Sequence, residues 1–291
     1  MRIAVTGSSG QIGSRLFARL AESHEVRGFD RRPDSHSIQL DIGTPDAIPV
    51  LKGFDAIYHL AASIFVTESV ANPPLYVRDN IVGTVNVLEA ARQGDGRVVF
   101  VSSAAVYGEP QHLPIPESHP TKAMSPYGQT KITGEEFAQL YHDLYGLVVS
   151  IVRPFNVYSE DIKPDNPYAG VIATFIRNAR MGDPLVIDGD GGQTRDFVHV
   201  SDVVQLLELL IRHKGDADVY NCGTGGVTTI LDLAEMVRNR FSPTISIVHG
   251  PPRLGDIRHI IADITRARGI GYEPHVFLSD WIQRTPLAAF A

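Results

Sequence analysis

Cysteine is almost missing from this chain of 291 residues: Cys222 stands alone. An intrachain disulfide is therefore impossible, and a reducing compartment is expected. Apolar runs are short, and none approaches the roughly 18 residues that a membrane span needs, so no membrane partner is expected. Basic residues do not dominate. Lys and Arg number 26 against 33 Asp and Glu, for a net charge of −7, which argues against nucleic acid as the main partner. No Asn-x-Ser/Thr sequon occurs. The eleven histidines show neither His-Glu-x-x-His nor paired-ligand spacing, so no metal site is expected. The chain enters a strand at once, without a basic and then apolar leader. We therefore expect no secretory signal and a cytoplasmic location. An apolar fraction of 43% and a charged fraction of 20% are those of a globular protein, and the length suits one large α/β domain or two interleaved ones.

What is present begins with a strand-type run, Arg2–Thr6, followed at once by Gly7-Ser8-Ser9-Gly10-Gln11-Ile12-Gly13 and a segment of helical periodicity. Such a glycine turn lets backbone N–H groups approach a pyrophosphate, and the helix N-terminus favours its charge. No Gly-Lys-Ser/Thr follows, so this is not a nucleotide-triphosphatase loop. Dinucleotide binding is the expectation. Glu25–Asp30 reads as the second strand and ends on an acid about 20 residues after the glycines, where a carboxylate accepts from the adenosine ribose. That favours NAD over NADP. Arg31 and Arg32 come next and pull the other way, because arginine can hold a 2′-phosphate. Asp41-Ile42 closes the next short strand. Asp41 either accepts from the adenine amino group or is a solvated turn residue. Phe54–Ala62 is a further strand running into the small residues Leu60-Ala61-Ala62, which leave room for a cofactor. Leu75–Arg92 reads as an amphipathic helix whose Asn80 either braces a neighbouring loop or faces solvent.

Gly96–Ser103 is apolar and reads as a strand buried on both faces, with Ser102 and Ser103 at its C-terminal end. After a proline-rich loop, Ser125 and Pro126 suit the N-cap and first position of a helix running to about Tyr145. Tyr127 and Lys131 are four apart and share one face of it. A cation beside the phenol should lower its pKa. Leu147–Asn156 is another buried strand. The alternation of strands and helices predicts an α/β fold with a doubly wound, parallel Rossmann sheet. Beyond Asn156 the composition shifts. Gly170–Met181 reads as a helix, Ser201 as the cap of a helix over Asp202–His213, and Thr229–Arg240 as another helix. We expect residues 1–156 to form the dinucleotide-binding domain, with later returns near 197–225. Residues 157–291 should form mainly a smaller α/β substrate lobe.

The glycine turn, Asp30, Asp41-Ile42, His59-Leu60-Ala61-Ala62, Ser102-Ser103-Ala104-Ala105-Val106-Tyr107-Gly108 and Tyr127-Gly128-Gln129-Thr130-Lys131 together resemble the extended short-chain dehydrogenase/reductases. Arg153-Pro154-Phe155-Asn156-Val157-Tyr158 and the stretch Gly189–Asp202 are similar to the sugar-nucleotide branch, the NAD-dependent epimerase/dehydratases, with the UDP-glucose (UDP-galactose) 4-epimerases nearest. The resemblance implies NAD as cofactor and a nucleotide-diphosphate sugar as substrate. It implies a redox-neutral C4 epimerisation through a 4-keto sugar. Tyr127 would be the base, Lys131 would hold the nicotinamide ribose, and Ser103 would hydrogen-bond the sugar oxygen. Asn156, Arg195, Arg253 and Asp256 would contact the substrate nucleotide, and Ile260 would wall the hexose pocket. It also implies a homodimer built on the helices over Leu75–Arg92 and Pro126–Tyr145.

Two departures stand out. Ser159 replaces the family's usual glycine and predicts a different loop geometry. Ala104-Ala105 replace the Asp-Glu pair of the dehydratases, which argues against 4,6-dehydration. Rival readings are an N-acetylhexosamine or uronate epimerase, a uronate decarboxylase, a net oxidoreductase, and a non-catalytic NAD-binding protein; fold alone does not decide among them.

Overall fold

The computed structural model describes residues 1–160, 170–213, 216–252 and 257–286. Seven strands form the central sheet: β1 (Arg2–Thr6), β2 (Glu25–Asp30), β3 (Ser37–Gln39), β4 (Ala56–His59), β5 (Arg97–Val101), β6 (Val149–Pro154) and β7 (Asp216–Cys222). Their order is β7-β6-β5-β4-β1-β2-β3, and every pairing is parallel. This is the doubly wound arrangement expected. The order reverses between β1 and β4, and the crevice at such a switch point is where open α/β sheets hold ligands. The central strands β4 and β6 are buried throughout, as near-continuous apolar runs between two helical layers should be.

Two apolar clusters, one on each face, hold the sheet. One gathers Ile3, Val5, Leu16 and Val99 with Val203 and Leu207. The other gathers Ala4, Ile57, Leu88, Val98 and Ile151. A third cluster, around Phe175, Ile187, Leu233 and Trp281, is built from the C-terminal half of the chain. The returns expected near 197–225 divide between these regions. Asp216–Cys222 joins the main sheet, whereas Phe197–His199 pairs in parallel with Asn156–Tyr158 outside it. The Val200–Leu210 helix is tied to the sheet side by Tyr58 Oη donating to the Leu207 carbonyl at 3.0 Å and by the Arg19–Glu208 ion pair.

Two local expectations need correction. The helix expected over 202–213 spans Val200–Leu210, and its cap is His199, whose ring accepts from the Ser201 N–H. The Leu75–Arg92 helix is real but holds a π-helical segment, Val77–Val82, between Pro73–Tyr76 and Gly83–Gln93. Ser159, at the departure from the glycine pattern, does not take the left-handed backbone that favours glycine. Positive φ among the described non-glycine residues occurs only at Asp95 and Ala217. Ser159 is fully buried, and its hydroxyl accepts from Gln11 Nε2 at 2.9 Å.

Candidate active site

The glycine turn crosses from β1 into the Gln11–Ala21 helix. Gly7 takes φ 74°, and a Cβ there would lie 2.7 Å from the Ala61 nitrogen. A Cβ on Gly13 would overlap the Gly7 carbonyl. The turn therefore packs backbone against backbone, which only glycine permits. Gly10 caps the helix without a side-chain acceptor, and no acid stands in its first turn. Its leading N–H groups are left to an anionic ligand. Ile12 packs on the main core. The Leu60 N–H donates to the Thr6 carbonyl, and the Ala61 N–H to Thr6 Oγ1; with Ala62 these residues stay partly open at the switch point. This cradle fits a dinucleotide pyrophosphate.

At the adenosine end, Asp30 is aimed by two backbone donors, Ser9 N at 3.2 Å and Arg32 N at 2.9 Å. Asp41 accepts from the Gly43 N–H and pairs with Arg78. Ile42 is buried, and its carbonyl takes the Asn86 amide. Asn80 is the brace foreshadowed by one of its two readings. It is buried, accepts from the Ser63 N–H at 2.8 Å and donates to the Ser63 carbonyl and Thr130 Oγ1.

The reacting end lies where β5 runs out. Ser103 caps a short 3-10 turn, accepting from the Ala105 N–H at 3.2 Å. Ser125 caps the Pro126–Tyr145 helix, accepting from the Gly128 N–H at 3.1 Å, with Pro126 in its first turn. This fixes Tyr127 in the first turn of the helix, on the side of Ser103, whose hydroxyl eases ionisation of the phenol. Tyr76 supports the phenol ring edge-on at a centroid distance of 6.4 Å. Lys131, one turn on, is buried and donates to the Val101 carbonyl at 2.9 Å.

The expected depression of the Tyr127 pKa is not found. Burial pushes it above the ordinary tyrosine value, and the nearby Ser103 hydroxyl pulls it back only in part. Burial also lowers Lys131, to about 8, against the pull of Glu135. Desolvation disfavours either charge when the two groups stand alone in the site.

Several residues around this centre went unread in the sequence. Glu135 lies on the Lys131 face of the helix and takes a bidentate ion pair from Arg153, with Ser102 Oγ donating to the same carboxylate. Arg153 also donates to Tyr107 Oη, which donates to Asn221. The signal was there: a lone cation in an apolar strand needs a buried partner. Asp79, discussed below, carried no such signal. Asn156 and Arg195 stand on strands of two different small sheets, brought close where the Asn156 N–H donates to the Asp196 carbonyl at 3.0 Å. Ile260 pairs in register with Arg195 and is buried. Asp196 organises the turn beneath, accepting from Thr224, Gly225 and Ala262 N–H groups. Arg253 and Asp256 lie outside the described residues. No helix among the described residues is long and apolar enough to cross a membrane.

Comparison with known proteins agrees with this geometry. A chain from Mycolicibacterium smegmatis named UDP-glucose 4-epimerase is 38% identical, over 98% of this chain and 97% of that one. The Thermotoga maritima UDP-glucose 4-epimerase, solved with UDP-glucose, superposes with a TM-score of 0.92 at 32% identity, covering 97% of this chain and 96% of that one. The Bacillus cereus UDP-glucuronic acid 4-epimerase, solved with UDP-glucuronic acid and NAD, gives 0.89 at 29% identity, over 100% and 98%. The family model for NAD dependent epimerase/dehydratases matches residues 3–223. With that match spanning the switch-point cradle and the Ser103–Tyr127–Lys131 centre, the chain belongs to the NAD dependent epimerase/dehydratase family.

Proposed function

We propose that this chain epimerises a nucleotide-diphosphate sugar at C4, of the UDP-glucose/UDP-galactose type, through a transient 4-keto sugar. The observation that carries the reading is the placement of Ser103 just past the end of β5 with buried Tyr127 in the first turn of the next helix and buried Lys131 one turn on, donating to the Val101 carbonyl. NAD, when bound, supplies a carrier that accepts a hydride from C4 and returns it, so no net oxidation occurs. Tyr127 takes the proton of the 4-hydroxyl as the hydride leaves and gives it back as the hydride returns. Ser103 holds the same oxygen. Burial raises the pKa of the phenol in the free protein, and the role assigned to Lys131 is to oppose this by favouring the phenolate as a nearby cation.

Epimerisation needs the keto sugar to turn over while the nucleotide stays clamped. Asn156 and Arg195, with Arg253 and Asp256, are the groups assigned to the clamp; guanidinium suits a diphosphate because it offers paired donors. Ala104 and Ala105 present methyl groups beside Ser103, with no acid to expel a hydroxyl, so dehydration is not part of the proposal. The likeness to the B. cereus enzyme favours a second reading, a uronate epimerised by the same chemistry at C4.

A second copy of this chain is the partner we infer. Val77 and Val82, with Leu140, Leu144 and Tyr145 on the Pro126–Tyr145 helix, are exposed apolar residues of two neighbouring long helices. Pairing two such faces would bury them in a four-helix arrangement. The lone, buried thiol of Cys222 suits a cytoplasmic enzyme.

The test is a panel of UDP-, dTDP- and GDP-sugars, including N-acetylated and uronate forms, with products resolved by NMR. Interconversion of C4 epimers without net NADH formation is expected. Tyr127→Phe should fold and bind NAD yet lose turnover by at least about a hundredfold, the usual scale of general acid–base catalysis. Normal turnover in that variant would sink the assignment.

A further inference from the structure

Arg31 and Arg32 follow the ribose-facing acid Asp30, where an arginine can hold the 2′-phosphate that marks NADP. The structure gives Arg31 another occupation. Its Nη1 donates at 2.9 Å to Oδ2 of Asp79, which lies within the π-helical segment Val77–Val82. Asp79 is itself a fixed acceptor. The same oxygen takes Ser63 Oγ at 2.7 Å, and the other takes Arg78 Nε at 2.8 Å. Arg78 reaches on to Asp41 at 3.2 Å. Charges thus alternate along Arg31, Asp79, Arg78 and Asp41, from the ribose end to the adenine end of the cradle. The Asp79 side chain is only 6% exposed, against 45% for Arg31. Pulling Arg31 away would strip a buried carboxylate of one of its cations, which is costly. Arg32 contributes its backbone N–H to Asp30 and so strengthens the acid rather than opposing it.

We propose that Asp79 is a specificity-determining residue, which holds Arg31 out of service as a phosphate ligand and so keeps the adenosine site selective for NAD over NADP. Selectivity of this kind is negative as well as positive. Asp30 repels the phosphate, and Asp79 withholds the cation that would offset the repulsion. The inference rests on the cofactor site alone and is independent of which sugar is turned over.

The test measures NAD and NADP affinities by titration calorimetry on the full chain freed of bound nucleotide. The variants are Asp79→Asn, Arg31→Ala and the pair. In the native protein NAD should bind more tightly, and Arg31→Ala should leave the NADP/NAD affinity ratio unchanged, because Arg31 is already engaged. Asp79→Asn should raise that ratio about tenfold, the scale of one hydrogen bond to a charged group, and adding Arg31→Ala should remove the gain. A gain that survives Arg31→Ala would come from lost negative charge alone and overturns the proposal. An unchanged ratio in Asp79→Asn overturns it too. Should Asp79→Asn not fold, Arg31→Ala still decides: a fall in NADP affinity relative to NAD means that Arg31 already serves the phosphate. Failure of both dinucleotides to bind the native chain would instead remove the cofactor reading itself.

Discussion

Tyr127 shows how far a residue's chemistry depends on its surroundings. A tyrosine four residues before a lysine suggests a lowered pKa, yet in the free protein burial wins and the phenol is held above its ordinary value. The Ser103 hydroxyl is the group that lowers it. Ser103→Ala should therefore do more than weaken substrate contact. The alkaline-rising limb of kcat/KM, which follows ionisation of the base in the enzyme before substrate binds, should move to higher pH in that variant. A pH profile of the native and variant enzymes checks this, and an unmoved limb would detach Ser103 from the tyrosine. His59 shows the same principle with the opposite sign. Burial first, and Lys131 second, hold it down to about 3, so it stays neutral between Thr6 and Thr84. It has no part in any pH dependence near neutrality.

At the scale of elements, two helices set the site, and they do so differently. The Pro126–Tyr145 helix is legible because its signals are local. Ser125 caps it, Pro126 opens it, and Gly146 closes it in the left-handed region at φ 67°. Ser125→Ala should cost about 1 kcal/mol of stability, read from urea unfolding, since the Gly128 N–H would lose its acceptor. An unchanged midpoint would mean that water replaces the cap without loss. The helix through Val77–Val82 is less transparent. Its π-helical turn shifts Asp79 and Asn80 toward Ser63, but apolar periodicity over 75–92 looks the same with or without one extra residue in a turn. The sequence therefore reads as a plain amphipathic helix. The Ser201 cap fails for a related reason: His199 can also accept a backbone N–H, and a histidine at that position carries no local cap signature.

For the whole molecule, the sheet order places β1, β4 and β5 side by side. The glycine turn, Leu60–Ala62 and Ser103 thereby meet at one edge. Ser159 and Glu160, just past the Asn156–Tyr158 strand, are tied back to the start of the Gln11–Ala21 helix by Gln11–Ser159 and Arg15–Glu160. The exposed apolar residues on the two long helices bear on assembly. Leu144→Glu should convert the inferred dimer to monomer in sedimentation velocity, because a charge would enter the centre of an apolar interface. Leu144 stands at the far end of the Pro126–Tyr145 helix from Tyr127, so the monomer should still bind NAD. A Leu144→Glu protein that sediments like the native one would place the interface elsewhere.

The sequence by itself determined what depends on neighbours along the chain. The strand–glycine–helix turn, the acid ending β2, the buried strands and the shared face of Tyr127 and Lys131 all follow from backbone freedom, periodicity and capping. Only the tertiary structure decided what depends on contacts across the chain. Arg31 turns to Asp79, 48 residues away, Glu135 finds Arg153, and Ser159 closes on Gln11 across 148 residues. The ionisation of Tyr127 belongs to the same class. Desolvation is a property of everything packed around a group, and no spacing in the sequence measures it.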